Sequence, residues 1–543
     1  MDSRSPERLL ARMARLNAIG VALSAEKDID RLLETILLGA REITGADGGT
    51  LYTVSDDGES LNFAIIHTES LGFAMGGSTG RDIPFEPLPL YREDGSPNDS
   101  MVATCAAVRG ITIATPDAYA EQAYDFTGTR AFDRQTGYRS TSFLTVPLRD
   151  HEDAIIAVLQ LLNKQDDDGR VIPFDADDRQ LVESLASQAA VALTNRHLID
   201  DLQRLFESFI ELIAGAIDAK SPYTGGHCRR VPELTLMFAD TCARVQHGPL
   251  ADFTMSEADR YELKIAGWLH DCGKVTTPEH VVDKSTKLET IFDRVHLLDT
   301  RFEVLKRDAR IAYLQRRFDA LESGNPADAT DAAAEYTTLL AELDAEREFL
   351  RTCNIGGEFM DEAARQRVRD IATRRWIGPD GAEQPLLTED EVYNLTIPKG
   401  TLTPEERAII NRHIDVTIEM LEALPFPKGL QRVPEFAGGH HERMDGKGYP
   451  RGLTREQLSV QARIMGIADI FEALTARDRP YKEGKKLSET LHIMGRMMQD
   501  GHIDPDLFRV FVEEGVHRAY AERFLEPAQI DEVDWAAIPG FEH

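Results

Sequence analysis

The spacing of apolar residues changes character along this chain. Up to about residue 196, helix-like and strand-like stretches alternate. Leu32 to Ile43 repeats its apolar positions with the period of an amphipathic helix. Gly49–Val54, Leu61–His67, Ser142–Leu148 and Ala154–Leu162 read as strands, separated by clusters of Gly, Asp and Pro. Leu181 to Leu193 reads as a helix. Mixed elements of this kind are satisfied by one sheet covered with helices.

A heptad seam follows. Leu198, Leu202, Leu205, Phe209 and Leu212 are spaced four and three apart, which suits either a parallel dimer helix or a helix lying on its own domain. Beyond Pro222 the pattern is helical. Tyr261 to His270 is amphipathic, and Thr403-Pro404-Glu405-Glu406 is a capping box with Pro at the first helical position. That box opens a helix carrying Ile409, Ile410, His413, Ile414, Thr417 and Leu421, and a further helix is expected over Ala462–Ala476. Between them Leu288, Ile291, Val295, Leu298, Phe302 and Leu305 again alternate, Ser323-Gly324-Asn325-Pro326 breaks the helix, and Tyr336, Leu339, Leu340 and Leu343 continue it. This reads as a helical hairpin serving as spacer, dimer prop or lid.

A length of 543 residues suggests several domains. The formal net charge of −32 argues against nucleic acid or an anionic membrane as partner, and an anionic substrate would need local cations. The five cysteines form no C-x-x-C pair and read as reduced thiols. No signal-peptide pattern and no apolar run of membrane-spanning length is found, so a cytoplasmic protein with no membrane insertion is expected.

The candidate chemistry lies in the second half. His227, the pair His270-Asp271, His413, the pair His440-His441 and Asp469 form a set of imidazoles and carboxylates suited to a multinuclear site for iron, manganese, zinc or nickel. A carboxylate has two oxygens and can bridge two ions, which together activate water at neutral pH. A lone His is usually a surface or capping residue, as His67, His151, His197, His247 and His543 read here. What lifts this set is the combination with Lys274, the His440-His441 pair and the Gly448-Tyr449-Pro450 turn. Arg479 and Lys482 by themselves would read as an exposed basic turn.

Two family resemblances follow from these residues. Gly137 to Leu148, Ala157 to Lys164, Phe174-Asp175 and the helix Leu181–Leu193 resemble a GAF domain, a small-molecule-sensing module. Asn163, Lys164, Phe174 and Asp178 match a pattern of cyclic-nucleotide-binding members, but Arg179 stands where they carry Glu; bracing of the fold is the favoured role, and the ligand is unknown. Thr224-Gly225-Gly226-His227, His270-Asp271 with Lys274, His413, His440-His441-Glu442 and Gly448-Tyr449-Pro450 resemble an HD-GYP phosphodiesterase domain. The chain then reads as multidomain: an α/β (α+β) GAF-like sensor followed by an all-α HD-superfamily metal hydrolase domain with a helical-hairpin insertion.

The expected boundaries are an N-terminal helix or tail over 1–19, the sensor over 20–197, a linker helix over 198–220, the hydrolase over 221–283 and 398–525, the insertion over 284–397 and a C-terminal tail over 526–543. The resemblance implies hydrolysis of cyclic di-GMP to pGpG, which members of the family often carry on to GMP. It implies His227, His270, Asp271, His413, His440, His441 and Asp469 as ligands of two divalent ions, iron or manganese, with Asp271 bridging. Tyr223 stands where some members carry a Glu for a third ion. Asp271 and Lys274 are the implied catalytic residues, and Lys274, Tyr449, Pro450, Arg479 and Lys482 the implied substrate contacts. A homodimer, a GAF ligand and a diguanylate cyclase partner at the Gly-Tyr-Pro loop are the expected partners. Asp445 and Arg443 read as supports of that loop, and Cys272 as packing behind the ligands. The competing readings are another HD-superfamily nucleotide phosphohydrolase, for example on (p)ppGpp, and a catalytically silent interaction module.

Overall fold

The structure is a computed structural model that describes residues 6–220, 226–324, 326–357, 359–477 and 484–541. It divides into two compact units, residues 1–205 and 206–543.

The first unit is built on one antiparallel sheet. Its strands are β1 (Ala46–Val54), β2 (Ser60–Thr68), β3 (Phe73–Gly76), β4 (Leu88–Pro89), β5 (Ile113–Thr115), β6 (Phe143–Arg149), β7 (Ile155–Gln165) and β8 (Val171–Ile172). The order across the sheet is β3-β2-β1-β7-β6-β5, with β4 on β2 and β8 on β7. All four strands expected from alternation are present, three of them two or three residues longer and β6 of equal length but shifted by one residue. Helices α1 (Pro6–Ala25), α2 (Ile29–Thr44) and the first part of α5 (Ala176–Lys220) cover one face; α3 (Val102–Arg109) and α4 (Thr127–Thr136) belong to the other. Side chains alternate across the sheet: Leu51, Leu159 and Leu161 join the helix-covered core, while Tyr52 and Val158 join the other. Asp28 caps α2 by accepting from the Arg31 amide, and Gly45 closes it with a left-handed φ of 72°.

Of the stretch 1–19, expected as a helix or tail, the described residues from Pro6 onward are helical and contribute to this core. Leu16, Ile19 and Leu23 of α1 are buried in it, and the Arg12 guanidinium pairs with buried Asp178 at 2.5 Å. Asp178 also pairs with Lys164, and the Asn163 side chain accepts from the Thr141 amide at 2.7 Å and donates to the Arg139 carbonyl at 2.8 Å. The Asn-Lys-Phe-Asp residues thus tie the strands to α1 and α5.

The helix expected over Leu181–Leu193 and the seam after it are one element, the 45-residue α5. The seam residues Leu198, Leu202, Leu205, Phe209 and Leu212 are 49–67% exposed, whereas Ile210, Ala214 and Ile217 are buried in the second unit's core.

The second unit is helical: α6 (His227–Cys242), α7 (Glu257–Leu269), α8 (Glu279–Val282), α9 (Val295–Glu322), α10 (Pro326–Ile355), α11 (Glu362–Ala372), α12 (Glu389–Leu395), α13 (Pro404–Asn411), α14 (His413–Glu422), α15 (Val433–Gly438), α16 (Val460–Thr475), α17 (Leu487–Gln499), α18 (Pro505–Glu513) and α19 (Val516–Phe524). Capping boxes start α7 (Ser256, Asp259), α12 (Thr388, Glu391) and α13 (Thr403, Glu406). The single helix expected after Thr403 is two, divided at Arg412, and the Nδ1 of His413 takes the Ile410 carbonyl at that division.

The hairpin of the insertion is α9 and α10, with the rings of Tyr313 and Tyr336 stacked at 4.8 Å. The insertion is more than a hairpin, because α11, α12 and a ribbon of β9 (Arg375–Ile377) and β10 (Glu383–Pro385) complete a core of its own around Phe302, Leu350 and Leu386. The ribbon lies within the insertion, and the hydrolase segments around it are helical as expected. At its base Lys284 donates to both carboxylate oxygens of Glu406, at 2.8 and 2.7 Å, and so holds the start of α13. The expected C-terminal tail over 526–543 is likewise folded in its described part, up to Phe541. Its apolar residues need cover, and Ile538 and Phe541 find it in the core of the unit while Gln529 donates to the Thr475 carbonyl at 2.8 Å.

Candidate metal centre

Five backbone segments converge on one buried point. His227 is the first residue of α6, preceded by Gly226 at a φ of 92°, whose amide donates to Asp218 at 3.1 Å. His270 ends α7, and Asp271 opens a short 3-10 turn over Cys272–Thr276. His413 begins α14, His440 and His441 follow α15, and Asp469 sits within α16.

Gly273 lies past the end of α7, within that turn. Its place is set by close approach: a Cβ there would lie 2.0 Å from the His413 carbonyl oxygen and 2.6 Å from the Thr417 amide. Its own amide donates to Thr417 Oγ1 at 2.9 Å. The bare backbone therefore lets the Asp271 turn lie directly on α14.

The imidazoles are oriented by backbone. The Nδ1 of His270 donates to the Gly267 carbonyl at 2.7 Å, that of His440 to Ala437 at 2.6 Å, and that of His413 to Ile410. This places the proton on Nδ1 and turns each Nε2 lone pair inward. His270 Nε2, His413 Nε2, His440 Nε2 and Asp271 Oδ1 are fully buried and lack a hydrogen-bond partner.

Asp271 stands between two clusters. Its Oδ2 is 3.3 Å from His227 Nε2, 3.2 Å from His270 Nε2 and 2.6 Å from Lys274 Nζ. Its Oδ1 is 3.2 Å from His413 Nε2. Asp469 Oδ1 lies 3.3 Å from His227 Nε2 and 3.8 Å from His270 Nε2. The ligand atoms of His227, His270 and Asp271 lie within 4.8 Å of one another, and so do those of His413, His440 and His441. Acceptor facing acceptor at such distances has no proton to hold it together, and buried unpaired acceptors are costly. Nitrogen and carboxylate oxygen donors gathered in this way fit borderline divalent cations.

Two of the imidazoles agree with that fit, while at His227 burial is outweighed by the carboxylates of Glu472, Asp271 and Asp469, which hold the ring well above its ordinary range. Burial, reinforced by His441 and His270, holds the His440 imidazole well below its ordinary range. Burial brings His441 down to about 4. Neutral imidazole is the form that binds metal. Burial opposes ionisation of Asp271 and Asp469, but Lys274 and the surrounding imidazoles outweigh it and keep both carboxyls below the usual carboxylate range. Burial likewise opposes the charge of Lys274, yet Asp271 and Asp469 hold its ammonium above the ordinary lysine value.

Tyr449 stacks on His441 with ring centroids 4.9 Å apart. Its loop is held by Glu442, which accepts from the amides of Arg451 (2.7 Å) and Leu453 (2.9 Å), and by Arg443, which forks onto Asp445 at 3.0 and 2.9 Å. Pro450 follows in the same loop, half-buried. Cys272 is buried in the core behind the turn. Arg479 and Lys482, like Tyr223, lie outside the described residues.

Sequence reading missed Glu472. Its carboxylate takes the Nδ1 proton of His227 and the Arg230 Nε at 2.6 Å, and it is almost fully buried. The available signal was its position three residues after Asp469, on the same face of α16.

Comparison with known proteins assigns both units. Residues 28–193 match the GAF domain family and residues 389–507 the HD domain family. The chain thus combines a GAF domain with an HD domain, which fits the GAF-linked HD-GYP family. The HD match takes in His413, His440, His441 and Asp469; His227, His270 and Asp271 precede it, before the insertion. A Pseudomonas aeruginosa protein named cyclic di-GMP phosphodiesterase is 40% identical over 114 residues, 21% of this chain and 26% of that one. A Vibrio cholerae protein named 3'3'-cGAMP-specific phosphodiesterase 1 is 40% identical over 113 residues, 21% of this chain and 25% of that one. A Thermotoga maritima protein named cyclic di-GMP phosphodiesterase is 28% identical over 227 residues, 38% of this chain and 58% of that one. The chain matches only about a quarter of the first two and under two thirds of the third.

Proposed function

We propose, for a chain that joins a GAF domain to an HD domain, a metal-dependent phosphodiesterase that hydrolyses cyclic di-GMP to pGpG and on to GMP, regulated by its GAF unit. The observation that carries this reading is Asp271: one buried carboxylate turns an oxygen to each of two imidazole clusters.

His227, His270 and Asp469 with Asp271 Oδ2 would hold one divalent ion, and His413, His440 and His441 with Asp271 Oδ1 the other. Iron or manganese suits this imidazole and carboxylate set. When bound, such a pair supplies Lewis-acid polarisation of a phosphoryl oxygen and activation of water at neutral pH.

The chain's own residues do the rest. Asp271 keeps its charge because Lys274 sits against it, and Lys274 keeps its proton because of Asp271 and Asp469. The Lys274 ammonium is therefore placed to donate to a non-bridging phosphoryl oxygen as negative charge develops there. Tyr449 presents the edge of its loop beside His441 for a guanine base, with Pro450 behind it. Arg479 and Lys482 are assigned to the second phosphate by the resemblance alone. Cys272 is buried and its thiol pushed up to about 11 by burial, so no covalent intermediate is invoked.

The exposed apolar seam of α5 supports pairing with a second copy through that helix, and the Gly448–Pro450 loop is the surface we assign to a diguanylate cyclase partner. A second substrate, 3'3'-cGAMP, is favoured by one specific observation, the equal identity of this chain to the relative named for it. Anaerobic purification, metal quantification and product analysis test the reading. Two metal equivalents with turnover of cyclic di-GMP support it. Turnover of 3'3'-cGAMP alone transfers the assignment to that substrate. A metal-free folded chain, or turnover confined to ppGpp or deoxynucleotides, removes it.

A further inference from the structure

The GAF unit holds a cavity of about 410 Å³ on the face of its sheet away from α1, α2 and α5. Tyr52, Phe63, Phe73, Phe126, Phe132 and Phe143 line it. They come from β1, β2, β3, the segment before α4, α4 itself and β6, so the aromatic wall is a product of the whole unit. Their rings contact one another: Tyr52 and Phe63 at 4.9 Å between centroids, Phe126 and Phe143 at 5.3 Å, Phe73 and Phe132 at 6.1 Å. This size is that of a site for a small organic molecule.

Nine of its lining residues carry polar side chains; among them the Tyr138 hydroxyl donates to Asp47 and the Ser140 hydroxyl to Asp133 at 2.8 Å. The Tyr52 hydroxyl donates to Gln160 Oε1 at 3.3 Å, and Gln160 Nε2 donates to Thr145 Oγ1 at 3.1 Å. The charged residues along it are Glu86 and Asp125, both acidic and both exposed toward solvent. The Thr127 hydroxyl and amide keep Asp125 below the usual carboxylate range, so it is charged at neutral pH. Among the described residues no Lys, Arg or His lines the cavity. The cation of the Asn163-Lys164 pattern is used elsewhere: Lys164 pairs with Asp175 at 2.9 Å and with Asp178, and neither Asn163 nor Lys164 reaches the cavity wall.

An anion entering such a space loses hydration and finds no counter-charge. A flat apolar body gains contact with the ring edges and faces. A cation is accepted by the aromatic faces and by the two carboxylates. We propose that this cavity binds an uncharged or cationic small molecule with a flat apolar body and rejects anions, cyclic nucleotides included. The inference rests on reading the GAF unit as a small-molecule sensor and is independent of the hydrolase reading.

A matched pair of fluorescent probes tests it on the full chain: uncharged N-phenyl-1-naphthylamine and its sulfonated counterpart 1-anilinonaphthalene-8-sulfonate, with cyclic GMP as competitor. The uncharged probe should bind saturably at one per chain, at least tenfold more tightly than the sulfonate, and cyclic GMP should not displace it. Phe132→Arg, which adds a cation to the wall, should narrow or invert that preference. Thr129→Trp, which adds bulk at another lining position, should weaken the uncharged probe about tenfold, with circular dichroism checking the fold of both variants. If one variant fails to fold, the other decides. Equal or tighter binding of the sulfonate or of cyclic GMP overturns the charge assignment while leaving a sensor cavity. Binding of the uncharged probe that neither variant alters overturns the site. Failure of every probe to bind overturns the sensor reading and the inference with it.

Discussion

The carboxylate of Glu472 holds the Nδ1 of His227, and thereby turns Nε2 toward Asp271 and Asp469. Arg230 shares the same carboxylate, so the contact joins the first turn of α6 to α16. Outer partners of this kind fix ring orientation and raise ligand basicity, and their loss costs about 10–100-fold in metal affinity. Glu472→Gln should weaken metal binding by about that factor while leaving the fold in place. Competition titration against a chromophoric chelator checks it, and unchanged affinity would mean that α6 orients His227 unaided.

Lys220, the last residue of α5, donates to the carbonyls of Lys274 and Val275 at 3.1 and 2.5 Å. Hydrogen bonds from a charged donor contribute about 1.5–3 kcal/mol. Lys220→Met should release the turn that carries Asp271 and Lys274, lowering turnover several-fold with metal content near wild type at saturating ion. Single-turnover rates beside metal analysis separate this from ligand loss.

Asp271→Ala should remove activity and most bound metal together, because one carboxylate serves both clusters. Lys274→Ala should keep metal near wild type and slow hydrolysis by about 10²–10³-fold, the usual scale for one preorganised charge donor. Metal lost from the lysine variant would show it to be a support of the site and not a contact for substrate.

Gly273→Ala tests the close approach of the turn to α14. A methyl group 2.0 Å from the His413 carbonyl oxygen forces backbone apart. Overpacking of this sort costs about 1–3 kcal/mol. The expected result is a lowered melting temperature with weakened metal binding, since the shift separates Asp271 from His413. A fully stable variant with normal metal content would contradict the geometry.

Asp504 gives a pH dependence away from the metal centre. It caps α18 through the amides of Asp506 and Leu507 and pairs with Arg455 at 2.8 Å and with Arg463. Burial alone would raise its carboxyl, but Arg455, the Leu507 amide and Arg463 hold it below the usual carboxylate range. A folded-state pKa lower than the unfolded one stabilises fully above the unfolded value and loses that contribution as pH falls through the folded one. Asp504→Asn should therefore be destabilised at neutral pH, and its difference from wild type should shrink below about pH 4. Urea denaturation at pH 7, 5 and 3.5 measures both ends; a difference constant over that range would place the stabilisation in packing and not in charge.

Much of this protein was legible in one dimension. Alternation gave the four long strands, because a residue's side of a sheet follows from its parity. The capping box at Thr403 gave the start of α13, because a cap is a local contact. The seven ligand-type residues stood out as residue types joined to a rare local pattern. Other features needed the tertiary structure. Local pattern leaves 1–19 as a helix or tail and 526–543 as a tail, yet Leu16 and Phe541 are covered by residues far away in sequence. Glu472 resembles any helical glutamate until His227 and Arg230 arrive from 245 and 242 residues away. That one oxygen of Asp271 faces each cluster was decided by how closely the Gly273 backbone lies on α14. Local pattern determines which residues can bind a metal or begin a helix; only packing between distant segments determines which lone pairs are left buried, unpaired and pointing at the same place.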